Sequence, residues 1–266
     1  MKEQLPIFYL DAFAAEIFKG NPAAVCPLER WLSDNLLQSI AAENNLAETA
    51  FFVRSGAEDA FELRWFTPTV EVDLCGHATL AAAYVIFQHL SYQSEKIRFL
   101  TQSGDLFVFR NRERLVLDFP GRSVEPCEPS IELLANFQKR PREVLRSGSG
   151  TYIVVMENES EVRRYEPDFA KLAQVDRCVN ITAPGENCDF VSRFFGPNIG
   201  LPEDPVTGSA HCGLAIYWSL RLNRTDELHA IQLSTRTGEI FCKVIGNRVL
   251  LSGTVVEYLQ GKISIS

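Results

Sequence analysis

The sequence is short of basic charge. Its 26 Lys and Arg face 34 Asp and Glu, for a net charge of −8 at pH 7. That balance argues against a nucleic-acid footprint. Long apolar runs are also missing: none approaches the ~18–20 residues of a membrane span. Met1 to Phe8 brings acid and proline too early for a secretory leader. The seven Cys form no Cys-x-x-Cys pair, and their number is odd. Free thiols in a reducing compartment are therefore expected, and with them a cytoplasmic location and no membrane partner. Several catalytic signatures are absent too. The four His show no metal-ligand spacing, so no metal is expected. No Gly-x-Ser-x-Gly elbow exists, because Gly208 directly precedes Ser209. Ser147-Gly148-Ser149-Gly150 lacks the Gly-Lys-Ser/Thr of a P-loop, and there is no Gly-x-Gly-x-x-Gly.

What the sequence does contain is a repeated plan. In the first half, strands are predicted at Leu5 to Phe13, Ala23 to Cys26, Glu48 to Val53 and Phe61 to Phe66, with a helix at Asp34 to Asn44. A very apolar helix follows from Gly76 to Leu90. Three more strands lie near Lys96–Thr101, Asp105–Arg110 and Arg114–Phe119. Pro120-Gly121, Pro126 and Pro129 mark a boundary. The second half predicts helices at Ser130 to Gln138 and Asp168 to Gln174. Its strands are Val144–Ser147, Tyr152–Glu157, Cys178–Thr182 and Asp189–Phe195. A second apolar helix runs from Gly208 to about Leu222. Strands at Ala230–Thr235, Ile240–Val244 and Val249–Ser252 follow it. A helix apolar on nearly all faces must be enclosed. The expected fold is α+β: two similar lobes, each a curved, mostly antiparallel sheet wrapped round a buried helix. The lobes are expected at 1–122 and 123–266, with the last residues packing back on the first lobe. Both helix starts are expected to meet a cleft between them.

The chemistry gathers at those two starts, Cys75-Gly76-His77-Ala78-Thr79 and Glu203 through Gly213. A helix N-terminus carries unpaired N–H groups and the positive end of a dipole. Glycine lets a ligand approach the backbone closely. Gly76, Thr207 and Gly208 are thus candidates for holding a carboxylate or a developing enolate. His77 can shuttle or share a proton. Glu48 sits at the mouth of an apolar strand, where partial burial is expected to raise its pKa toward the acid/base range. Asp204 can orient a partner or cap the helix. Ser209 can bind an anion or simply occupy the first turn. Each has a plain structural reading as a cap, a core residue or a solvated strand end.

These pieces, in order, resemble the PhzF-type phenazine-biosynthesis-like isomerase family, within the diaminopimelate-epimerase-like fold. The matching stretches are Asp11-Ala12-Phe13, Phe18 to Val25, Glu48-Thr49-Ala50-Phe51, Phe66-Thr67-Pro68, Cys75 to Thr79 and Glu203 to Ala210. The branch that includes the animal protein PBLD is similar. The resemblance implies a cofactor-independent isomerase, usually a homodimer, acting on a small carboxylic acid. It implies Glu48 as general acid/base, with His77, Asp204 and Ser209 as supporting catalytic residues. Gly76 and Gly208 would hold the substrate. Related racemases use two thiols, each at a Cys-Gly helix start. Here the second start is Thr207-Gly208, and Cys212 lies about a turn further in. A cysteine-using racemase or epimerase through Cys75 is one alternative, and a non-catalytic small-molecule-binding protein is another.

Overall fold

The structure, a computed structural model, describes residues 3–56 and 60–265. The chain forms two compact units, Met1–Asp118 with Ser252–Ser266, and Phe119–Leu251. The division differs from the expected 1–122 and 123–266. The last strand, Val255–Ile265, pairs antiparallel with the first. It therefore belongs to the first unit.

In the first unit β1 (Glu3–Ala12) pairs antiparallel with β2 (Asn21–Leu28). The helix α1 (Asp34–Asn44) then returns the chain, so β3 (Glu48–Arg54) lies parallel to β2. Antiparallel β4 (Ala60–Phe66) and the two-residue β5 (Glu71–Val72) follow. Next comes α2 (Gly76–His89), whose crossover sets β6 (Lys96–Thr101) parallel to β4. β7 (Gly104–Asn111) and β8 (Arg114–Pro120) complete a meander.

The second unit opens with β9 (Val124–Pro126) and then repeats the scheme. Antiparallel β10 (Glu143–Ser147) and β11 (Tyr152–Val155) precede parallel β12 (Val179–Pro184). Antiparallel β13 (Phe190–Gly196) and β14 (Leu201–Asp204) follow. The helix α6 (Gly208–Leu222) leads to β15 (Leu228–Gln232), parallel to β13. β16 (Gly238–Ile245) pairs antiparallel with β15, and β17 (Arg248–Gly253) comes next. The matching order of antiparallel and parallel pairings is the structural form of the repeat. The parallel pairs arise because a helix crossover reverses the chain direction twice.

Three short helices cover one face of the second sheet: α3 (Ile131–Leu134), α4 (Glu159–Arg164) and α5 (Phe169–Leu172). Leu133, Val162 and Leu172 pack there with Tyr152, Val154, Val179, Ile181 and Phe195. The helix expected at Ser130 to Gln138 stops at Leu134, and the one expected from Asp168 runs only from Phe169 to Leu172. α4 has no counterpart among the expected helices. In the first unit α1 plays the covering role, with Leu37, Ile40 and Ala41 packed on Leu5, Ala24, Cys26 and Phe51.

The inner helix of the first unit is α2. Ala78, Leu80, Ala81, Ala82, Ala83, Val85 and Ile86 are all sealed from solvent. It packs on β1, β2, β3 and the final strand. Small side chains let the sheet close on every side of it. α6 is enclosed less completely: Leu214, Ala215 and Trp218 are buried, but Leu220 is 78% exposed. That residue falls on the outward side of the last turns. Ala82→Leu in α2 is expected to destabilise the protein by about 1–3 kcal/mol through overpacking. Leu220→Ala should stay within about 0.5 kcal/mol. Urea denaturation of both variants checks the contrast, and equal effects would contradict the enclosure of α2.

Candidate active site

Glu48 reaches its place through a short and well-fixed link. α1 ends at Asn44, and Asn45 takes the left-handed conformation (φ 49°) that asparagine tolerates. Three residues later β3 begins. Asn44 pins the turn: it accepts a hydrogen bond from the Tyr9 hydroxyl at 3.0 Å, and its amide donates to Thr49 Oγ1 at 3.1 Å. Alternation along the strand turns Thr49, Phe51 and Val53 toward α1. Glu48 therefore projects from the opposite face, onto the start of α2.

There it meets His77. Glu48 Oε2 lies 3.1 Å from His77 Nε2. The distance suits an ion pair, but the alignment is not that of a hydrogen bond. Among the described residues this buried oxygen has no hydrogen-bond partner. Cys75 Sγ lies 3.5 Å from His77 Nδ1 and 3.9 Å from Nε2. The Thr79 hydroxyl donates back to the Cys75 carbonyl at 2.5 Å, which fixes the first turn. Cys75 is the N-cap residue, with extended backbone, and its side chain makes no capping bond. The first-turn N–H groups of α2 are thus left without a side-chain cap.

The electrostatics of this trio correct one expectation. Burial pushes the Glu48 carboxyl up, but the His77 charge and the close polar hydrogens of His77 and Cys75 outweigh it. Glu48 sits below its ordinary value, not above it. Burial likewise disfavours the His77 imidazolium, yet negative charge on Cys75 and Glu48 raises His77 well above 6.5. Cys75 contributes only as a thiolate. Its own burial, with the Glu48 charge, pushes that thiol up to about 11. Of the two charges that raise His77, that of Glu48 is the one present at neutral pH, and it faces the ring across 3.1 Å.

In the second unit Asp204, Thr207, Gly208 and Ser209 come together at the start of α6. Thr207 is the N-cap residue, again with no side-chain cap. Its hydroxyl instead donates to Asp204 Oδ2 at 2.6 Å. Asp204 therefore orients Thr207. Gly208 is buried, and Ser209 is exposed on the first turn. Gln232, a residue that the sequence reading missed, locks this turn. It accepts from the Thr207 N–H at 2.9 Å and donates to the Asp204 carbonyl at 2.7 Å. Its signal was a polar side chain at the end of an apolar strand, 1% exposed in the structure. Such a group needs partners.

His211 does not join in as a charged group. It is fully buried, with Nδ1 2.8 Å from the Thr207 carbonyl and Nε2 3.4 Å from Ser192 Oγ. Burial pushes it down to about 4. Cys212 is also interior. Its thiol donates to the Gly208 carbonyl, and burial pushes it up to about 12. Thr207, not a cysteine, holds the position at α6 that Cys75 holds at α2. A two-thiol arrangement at the paired helix starts is missing its second thiol.

Both units carry the architecture of epimerases and racemases. A hydroxyproline epimerase from Agrobacterium vitis superposes with a TM-score of 0.65 at 8% identity, over 100% of this chain and 94% of that one. A PhzF-family phenazine biosynthesis protein from Enterococcus faecalis is far more similar. Its TM-score is 0.94 at 43% identity, over 99% of this chain and all of that one. The phenazine biosynthesis-like protein family matches residues 10–261. The chain belongs to that family. An uncharacterized isomerase of Pseudomonas aeruginosa is 49% identical, over 98% of this chain and 100% of its own. The mouse phenazine biosynthesis-like domain-containing protein 1 is 37% identical, over 98% of this chain and 99% of its own.

The charged pair gives stability a pH signature. Glu48 lies below 4.5, so its contribution is present above 4.5 and is lost as pH falls through the lowered value. His77 lies above 6.5, so its contribution is present below 6.5 and is lost as pH rises through the raised value. Both are complete only between 4.5 and 6.5. The gap in urea midpoint between the native chain and His77→Gln should be widest in that window and shrink on either side. A gap that is flat with pH would refute the pairing. At the other helix start, Gln232→Leu removes the bonds that Gln232 makes to the Thr207 N–H and the Asp204 carbonyl, and should cost about 1–3 kcal/mol. Urea denaturation reads that loss directly.

Proposed function

We propose that the protein is a cofactor-independent isomerase that moves a proton between carbons of a small carboxylic acid, with Glu48 as general acid/base. The observation that carries this reading is the ionised Glu48 held 3.1 Å from His77, at a helix start whose first N–H groups are uncapped. Membership of the family and relatives named as isomerases support the class of reaction. A carboxylate below its usual pKa is in the right form for a base, but it is a weak one. The substrate carboxylate would supply the missing basicity. Set beside His77, it shares the positive charge that now lowers Glu48, and the Glu48 pKa climbs toward its buried value.

The reaction then closes without outside reagents. Glu48 removes a proton from the carbon next to the activating group, and the bonding electrons pass into a conjugated enolate. The uncapped N–H groups of the α2 start stabilise that anion. Glu48, now the acid, delivers a proton, its own or one exchanged from solvent, to another carbon of the same molecule. Asp204, Thr207, Gly208 and Ser209 serve in this reading as an anion-holding start, fixed by Gln232.

The test is carbon-bound deuterium. The protein is incubated in D2O with a panel of small unsaturated and hydroxy carboxylic acids and followed by proton NMR. A substrate should lose a C–H signal or shift its double bond. Glu48→Gln should fold normally and slow exchange by about 10²–10⁴-fold. Undiminished exchange in that variant would end the assignment of Glu48.

A further inference from the structure

The cluster of Glu48, Cys75 and His77 offers one carboxylate oxygen, one sulfur and one imidazole nitrogen, all within 4.8 Å of one another. The two helix residues are buried, and the carboxylate oxygen is buried with no hydrogen-bond partner among the described residues. No spacing in the sequence displays this set, because Glu48 comes from β3 while Cys75 and His77 come from α2. We propose that these three residues form a binding site for a single borderline-soft divalent cation such as Zn²⁺, which switches the site off.

Two of the three ligand–ligand distances are near a tetrahedral edge, and the third is within 4.8 Å. Zinc bonds of about 2.0–2.3 Å place neighbouring ligand atoms about 3.3–3.8 Å apart. Here Glu48 Oε2 and His77 Nε2 are 3.1 Å apart, and Cys75 Sγ and His77 Nε2 are 3.9 Å apart. An ion could enter with side-chain shifts of up to about 1 Å, which rotation of Glu48 and Cys75 supplies. The donor set selects the metal. Sulfur and imidazole suit Zn²⁺ and its neighbours, whereas Mg²⁺ and Ca²⁺ require oxygen ligands. The positive end of α2 opposes a cation, but a thiolate and a carboxylate together balance a divalent charge. On binding, the Cys75 Sγ–H and the His77 Nε2–H bonds break, metal–sulfur and metal–nitrogen bonds form, and both protons go to solvent. Three protein ligands leave a fourth position for water. The bound ion occupies the Glu48 oxygen, so it blocks proton transfer there; that consequence, though not the binding itself, rests on the function proposed above.

The test uses Co²⁺ as the probe on the full-length, metal-free chain. One equivalent should give visible bands of tetrahedral intensity and a near-ultraviolet thiolate-to-cobalt band, both displaced by Zn²⁺. Cys75→Ser should abolish the near-ultraviolet band, and Glu48→Gln, which keeps the thiol, should weaken Co²⁺ binding by about tenfold or more. Cys178→Ser, away from the cluster, should leave the spectrum unchanged. A native chain with no thiolate band, or a band that survives in folded Cys75→Ser, would overturn the site. If Co²⁺ binds but the metal-free chain exchanges no deuterium, the functional reading fails while the metal site stands.

Discussion

The first unit is organised by a helix that cannot meet water. α2 is sealed from Ala78 to Ala83, so that stretch offers no free polar side chain to a ligand. Its backbone is satisfied internally everywhere except at the ends. The N-terminal turn is then the one place where a buried apolar element presents donors and a positive dipole. The small residues Ala78, Ala81, Ala82 and Ala83 make this possible, because they let strands approach the helix axis. A bulkier helix would hold the sheet further off and would leave Glu48 short of His77. Packing thus sets the site before any catalytic side chain is considered.

At Glu48 two effects of burial compete, and pairing wins. Loss of solvent favours the neutral acid, while the neighbouring imidazolium favours the anion. The outcome depends on a partner that is remote in sequence and adjacent in space. The resting site stores its charges against each other, which keeps a buried carboxylate ionised without water. Anything that draws the imidazolium away would release the desolvation effect. The same closeness that holds the pair also makes a ligand set with Cys75, so acid–base and metal-ligand chemistry draw on the same atoms.

Much of this was legible in the sequence. α1, α2 and the meander β6 to β8 follow from helical spacing, strand alternation and Gly/Pro punctuation. The structure places all three within a residue or two of expectation. α4 was not legible, since its six residues are mostly charged and only Glu159 and Val162 are buried. The final strand was missed as a strand because its polar residues, Glu257, Gln260 and Lys262, are exposed or half-buried. The parallel pairings join strands across crossovers, and no local pattern reports them. At the site, motif position pointed to Glu48, His77, Asp204, Thr207 and Ser209. The direction of the Glu48 shift and the role of Gln232 needed coordinates, because both depend on contacts between distant segments.

The pairing of the last strand with the first has a consequence for synthesis. Gln4 lies opposite Ser264, and Leu5 opposite Ile263. A ribosome makes β1 long before the strand that pairs with it. The second unit, continuous in the chain, has all its residues available earlier. Until the last segment emerges, β1 is bonded to β2 alone and its other edge stays open. Open edges recruit foreign strands. The nascent chain therefore carries an open strand edge until Val255–Ile265 is made and closes it.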